Sequence, residues 1–248
     1  MKITAQYILH YGKEWLFHSM RSVRPFVDEI RVFYTPQPSH GHASSIPCPE
    51  FRSELYSIAE QFDVVWHDGL YAHEGQHRDY AYDACVGAGA DIILVVDADE
   101  LWLPEQLKWV LGYVRCKNPR NWCVNMLHFW RSLGWVCRDN MWPERIIMER
   151  QALPKQLDTR HLSPLKCRPL HMGYAVSLET MQYKIPIHGH TNLFRPRWFE
   201  EKYAGWKPGV VDVHPTDYPD VWTPEPFDKS SIEDLLGDHP YFHLETIA

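Results

Sequence analysis

Apolar positions along the first 115 residues alternate between two rhythms. Ile3 to His10 is a strand-like run closed by Tyr11-Gly12, and Leu16, Phe17, Met20 and Val23 then recur at helical spacing until Pro25 stops the helix. Ile30 to Tyr34 predicts a second strand, ended by the breaker-rich TPQPSHGHASSIPCPE. Leu55, Ile58, Ala59 and Phe62 form another helical stripe, Val64 to Trp66 a third strand, and Ala81, Ala84, Cys85 and Ala88 a small-residue helix face. Ile92 to Val96 is apolar throughout, as a strand buried on both faces should be. Leu107, Leu111 and Val114 mark a further helix after Pro104. This alternation predicts an α/β fold, a mainly parallel sheet with helices on both faces.

After about residue 120 the rhythm changes. WCVNMLHFW (122–130) and RIIMER (145–150) predict strands, and Glu179 to Ile185 a short helix. From Trp206 onward Pro, Asp and His dominate. The expected organisation is one domain over residues 1–205, its halves meeting near 118–119, with an irregular extension over 206–248 packed on it.

Composition narrows the function classes. A formal net charge of -7 on 248 residues leaves no general basic field for nucleic acid or anionic membrane. No apolar run approaches the roughly 18 residues of a membrane span, and Met1-Lys2-Ile3-Thr4 leads into a strand instead of a secretion signal. Six cysteines without CxxC spacing read as reduced thiols, which predicts a cytoplasmic setting, the host's cytoplasm if the protein is viral. Eleven Trp and 15 His suit a polar ligand site with aromatic walls, over and above what the core takes.

The most specific chemistry is VVDADELW (95–102), where a buried strand opens into Asp97, Asp99 and Glu100. Unpaired carboxylates are costly at the edge of a core, so either a cation answers them or they are a solvated strand end that favours the dipole of the helix beyond. In a parallel sheet, ligands bind beyond the carboxyl ends of the strands. Asp97 and Asp99, two apart on an extended backbone, would point the same way. Two hard oxygen donors there suit Mg²⁺ or Mn²⁺ bridging to a diphosphate.

HRDYAYDACVGAGADIILVVDADE (77–100) resembles the segment of family-2-like GT-A glycosyltransferases in which an Arg-Asn pair opens a helix that leads to the DxD strand. Arg78, Ala84, Gly89, Asp97 and Asp99 fall at matching places. VDEIRVFYT resembles that family's second strand. WPERIIMER (142–150) and LHMGYAVSLETMQYK (170–184) are similar to segments of bacterial members with a DADE motif. The resemblance spans roughly residues 3 to 190 and implies a Rossmann-like GT-A fold. It further implies transfer of a sugar from a nucleoside-diphosphate sugar to an acceptor hydroxyl, with Mn²⁺ or Mg²⁺ as cofactor. Asp99 would ligate the metal, Asp97 would contact metal or donor ribose, and His171 would add a metal or diphosphate contact. Arg78 would approach the donor phosphates. Tyr11, together with backbone around Ser39 and Gly41, would complete the donor site.

An inverting transferase also needs a base for the acceptor hydroxyl. Glu144 is the first candidate and Asp158 the second. Two features depart from the family pattern: Thr35 to His42 stand where an Asp usually reads the base, and Asp79 replaces the Asn of Arg-Asn. The acceptor stays open among a small glycan, a protein and a modified DNA base. For the last, RPRWFEEKYAGWK (195–207) would grip phosphate, with Trp198 and Trp206 as stacking faces. Two other classes compete. His188 and His190 with Asp97 or Asp99 would make a hydrolytic metal site, and a catalytically silent nucleotide-sugar-binding module would keep the fold alone.

Overall fold

The computed structural model describes residues 1–248 except 39–40, 118–120, 149–158, 190 and 218–221. Four strands run parallel in the order β3-β2-β1-β4: β1 (Ile3–Leu9), β2 (Glu29–Tyr34), β3 (Val64–Asp68) and β4 (Ile92–Val96). Four helices flank them: α1 (Lys13–Val23), α2 (Arg52–Ala59), α3 (Glu74–Gly87) and α4 (Pro104–Arg115). Leu16, Met20, Leu55, Leu107 and Val110 pack on one face of the sheet, while Ala81 and Cys85 of α3 pack with Phe33, Ile93 and Val95 on the other. The α/β class, with helices on both faces, is therefore as the alternation predicts. A two-residue strand, β5 (Glu100–Leu101), follows the acidic turn.

The second half extends this sheet and builds another. The segment 122–130, expected as one strand, is two: β6 (Asn121–Cys123) and β7 (Leu127–Trp130). Between them the buried Asn125 side chain donates to the carbonyls of Asp139 and Met141, at 3.0 and 3.2 Å. That grip breaks the run and lets its halves enter different sheets. β8 (Trp135–Cys137), β9 (Glu144–Met148), β10 (Thr159–His161) and β11 (Leu170–Tyr174) follow, then α5 (Leu178–Ile187) and a late pair, β12 (Glu225–Pro226) and α6 (Glu233–Leu236). Among the described residues, the first sheet has the order β10-β6-β9-β4-β1-β2-β3, with β9 antiparallel to both neighbours. The second has the order β12-β8-β7-β11-β5.

A separate core lies under this second sheet, and it takes much of the aromatic content. Trp15, Trp130, Trp198, Tyr203, Trp206 and Trp222 are buried in it. Trp198 and Trp206 are thus 2% and 5% exposed and offer no stacking face. Both arginines of the basic stretch around them are in ion pairs: Arg195 with Asp212 and Asp217, and Arg197 with Glu201. The tail beyond Trp206 contributes Val213, Ile232, Leu236, Phe242 and Ile247 to the same core. All six cysteines are free. Among the described residues, no helix is long and apolar enough to cross a membrane.

Candidate active site

The acidic stretch leaves β4 as a turn, closed by the Glu100 N–H donating to the Asp97 carbonyl at 3.0 Å. The expected extended backbone is therefore replaced by a reversal, which separates the carboxylates' tasks. Asp97 and Glu100 turn to Arg145 of β9. Its Nη2 donates to Asp97 Oδ2 at 2.7 Å, its Nε lies 3.0 and 2.9 Å from the Glu100 oxygens, and Nη2 also bonds Glu100. The cation that answers two of the three acids is thus the protein's own arginine. Burial opposes the charge on Asp97, but Arg145 and then Arg78 hold its carboxyl below the ordinary value. Glu100, with a wholly inaccessible side chain, shares one guanidinium with Asp97, and burial pushes it up to about 8.

Asp99 faces elsewhere. Because β5 pairs antiparallel with β11, Glu100 lies opposite His171, and Met172 N–H donates to the Asp99 carbonyl at 2.7 Å. This pairing carries His171 Nε2 to 3.8 Å and Lys184 Nζ to 3.4 Å from Asp99 Oδ2. Lys184 also donates to the Gly173 carbonyl at 3.0 Å. A Cβ on Gly173 would stand 2.5 Å from His171 Cε1 and 2.9 Å from Lys184 Nζ, so only glycine lets both side chains close over it. Gly12 serves similarly on the other wall. At φ +135° its backbone lies where a Cβ would be 2.5 Å from that of Ala98, so the β1–α1 loop rests on the acidic turn.

His171 is set by a chain of partners. Asp139 Oδ2 is 3.0 Å from His128 Nε2, and His128 Nδ1 is 2.8 Å from His171 Nδ1. Burial works against ionisation of Asp139, but the hydrogen bond from His128 outweighs it and lowers the carboxyl's pKa. An ionised Asp139 places the His128 proton on Nε2. His128 Nδ1 then accepts from His171 Nδ1–H, and the His171 Nε2 lone pair is left facing Asp99. Burial drives the His171 pKa down to about 3, so the ring is neutral.

Asp97, Asp99 and His171 line one cleft of about 270 Å³ at the carboxyl ends of β1 and β4, which also receives Tyr11, Arg78, His77, Lys184 and His188. The structure thus brings together Tyr11, Arg78, Asp97, Asp99 and His171 of the predicted set. Arg78 also holds Glu74 one turn away, Nε to Oε1 at 2.7 Å. Gly41 does not line the cleft, and its N–H donates to the Pro38 carbonyl at 3.2 Å. The N-terminus of α1 is likewise taken, since Glu50 Oε2 accepts from the N–H groups of Gly12 and Lys13 at 2.7 and 2.8 Å. Glu144 opens instead on a separate polar cavity of about 410 Å³, with Gln6, Arg78, Tyr82 and Arg145. Ser39, Asp158 and His190 lie outside the described residues. Lys184, His128 and Asp139 were missed, because nothing in their local spacing ties them to Asp99.

Asp99 and His171 fit a hard divalent ion. Neighbouring ligands of one octahedral ion, each about 2.1 Å from it, stand about 3 Å apart and opposite ones about 4.2 Å apart; the observed 3.8 Å lies between, so a shift of under about 1 Å would close the pair on an ion. Among the described residues, no group of three or more His, Cys, Asp or Glu could hold a metal. Two protein ligands suit Mg²⁺ or Mn²⁺ completed by water and phosphate, whereas a zinc hydrolase needs three.

No family model matches the chain, and no curated protein matches it. Among solved structures, S. aureus TarS is 14% identical with a TM-score of 0.37, over 52% of this chain and 22% of TarS. TarS 1-349 in complex with UDP-GlcNAc is 16% identical with a TM-score of 0.36, over 52% of this chain and 35% of that one. A Desulfovibrio desulfuricans protein, provisionally described as a nucleotide-diphospho-sugar transferase, is 9% identical with a TM-score of 0.35, over 60% and 64%. The chain thus spans under two thirds of each, and likenesses this shallow transfer no activity.

Proposed function

We propose that the protein is a glycosyltransferase that moves a sugar from a nucleoside-diphosphate donor to an acceptor hydroxyl, with Mg²⁺ or Mn²⁺ as cofactor. One observation carries the reading: Asp99, a neutral His171, Arg78 and Lys184 converge on a single cleft at the strand ends. Paired cations beside a hard-metal ligand set match the charge of a diphosphate, which leaves as an anion when the glycosidic bond breaks. Asp99 and His171 would hold the ion, and it would neutralise the charge growing on that leaving group. Lys184 and Arg78 would grip the remaining oxygens. Asp97, tied to Arg145, fixes the turn that presents Asp99.

The acceptor's proton goes to a carboxylate, and two flank the cleft. Glu144 sits on the polar cavity reached past Arg78, and burial raises its pKa. Asp139 sits on an apolar cavity reached past His171. The second has room for an acceptor beside the metal ligand, which favours Asp139.

The test is calorimetric titration of UDP, GDP, ADP, CDP and dTDP with and without Mn²⁺. One diphosphate should bind with metal and lose most affinity in Asp99→Ala and His171→Ala. If all bind equally without metal, or Asp99→Ala binds like wild type, the reading fails.

A further inference from the structure

A second cavity, of about 380 Å³, adjoins the cleft, and His171 and His188 line both. Its walls are largely carbon, from Met126, Met141, Pro143, Leu193, Pro215 and Trp222. Met141 and Leu193 are 51% and 56% exposed. Apolar side chains left open to water beside an apolar recess mark a ligand site more than a core. Trp222, 3% exposed and stacked against His128 at 4.9 Å, is a wall of this recess and not a platform for a sugar ring.

The charges around the recess are already committed. Arg145 is the single Arg or Lys among its described lining residues, and it serves Asp97 and Glu100. Asp139 accepts from the Met141 N–H at 3.0 Å through Oδ1 and faces His128 through Oδ2. A phosphodiester or carboxylate entering here would lose its hydration and gain no cation in exchange. A neutral ligand with an apolar body loses nothing comparable and gains by burying carbon against Met141, Leu193 and Pro215. The volume lies at the small end of ligand pockets, roughly 300–1,000 Å³, which suits one or two rings.

We infer that this cavity binds a neutral alcohol or phenol of one or two rings as the acceptor, its hydroxyl toward His171 and Asp139 and its apolar body toward Met141 and Leu193. The acceptor role rests on the transferase reading, whereas the class of ligand does not. Transfer would form a bond from the acceptor oxygen to the anomeric carbon and break the bond from that carbon to the diphosphate. The hydroxyl proton passes to the Asp139 carboxylate, and the nucleoside diphosphate leaves with the bonding pair.

The probe is 2-naphthol, titrated by its own fluorescence into wild type, Leu193→Asp and Met141→Asp. Both positions are more than half exposed, so neither change endangers the fold. We expect saturable one-site binding in wild type, weakened about tenfold or more by either new carboxylate, about 1.4 kcal/mol per tenfold. Nucleoside-diphosphate binding with Mn²⁺ should be unchanged in both variants. Absence of saturable naphthol binding, or binding indifferent to both substitutions, overturns the inference. So does displacement of bound naphthol by a short oligonucleotide, which would make the recess a nucleic-acid site. If naphthol binds as expected and no nucleotide binds, the ligand class stands and the transferase reading fails. If a nucleotide binds and naphthol does not, the reverse holds.

Discussion

Removing Arg145 tests how the acidic turn is held. In Arg145→Met, Glu100 keeps a fully inaccessible carboxyl with no cation, while Asp97, one third exposed, regains partial hydration. The cost should therefore come mainly from Glu100. Breaking a buried pair from one side costs about 3–5 kcal/mol, a large part of a typical total of about 5–15 kcal/mol. With its pKa pushed up to about 8, Glu100 is protonated at neutral pH and needs no cation there, so its part of the penalty should be nearly flat between pH 5 and 8 and grow toward pH 9, where wild type ionises and the variant does not. At pH 9 adding Glu100→Gln should return about 1.4 kcal/mol, a coupling within the usual range for direct contacts. Urea denaturation of wild type, both single variants and the double variant, in the presence of a chelator, measures each term. If at pH 9 the two substitutions add within about 0.5 kcal/mol, or the Arg145→Met penalty does not grow above pH 8, Glu100 and Arg145 are not the coupled pair described.

Four further outcomes follow from the geometry. Asp139→Asn should slow turnover by about 10²–10⁴-fold and also weaken Mn²⁺-dependent donor binding, because the His128 and His171 tautomers lose their anchor, while Glu144→Gln does much less; the opposite order in steady-state kinetics moves the base to Glu144. Gly173→Ala should weaken Mn²⁺-dependent nucleotide binding by pushing His171 aside, read by calorimetry against an unchanged melting temperature for the metal-free protein. His188→Ala should reduce that binding less than His171→Ala, and stoichiometric zinc lost with His188 would instead revive the hydrolase class. Burial lowers the His77 pKa to about 4, with its ring nitrogen 2.9 Å from the Phe33 carbonyl. Its contribution is complete above the ordinary value of 6.5 and is lost as pH falls toward 4, at about 1.4 kcal/mol per pH unit. His77→Gln should flatten the acid limb of the stability curve by about one proton, and an unaltered slope refutes the assignment.

The first half was legible because its signals are local. Ile92 to Val96 and the stripe Leu16, Met20, Val23 state their partners by periodicity alone, and an acidic strand end in a parallel sheet points to where the cleft lies. What escaped was set by pairing across distance. His128 meets His171 because β7 and β11 are in register, and His171 meets Asp99 because two residues of β5 join the second sheet. No spacing rule reaches across 43 or 72 positions. The partner of Asp97 was equally invisible, since Arg145 reads as any charged neighbour of Glu144 until β9 is laid beside β4.

The region after α6 has a consequence for biosynthesis. His239 lies flat on Trp15 at 3.9 Å and reaches the Glu14 carbonyl, and Asp238 clasps Arg21 and His18. Farther on, the Ile247 N–H donates to the Arg131 carbonyl at 2.7 Å with its side chain fully buried. α1 leaves the ribosome well before residues 238 and 239 and therefore waits for them to cover its outer face. Its inner face meanwhile carries Ser19, which donates to the Glu100 carbonyl at 2.6 Å and so steadies the acidic turn. A chain nicked or stalled near residue 237 would leave Trp15 open to chaperones and proteases, and the loosening would be felt at the ligand cleft through one helix.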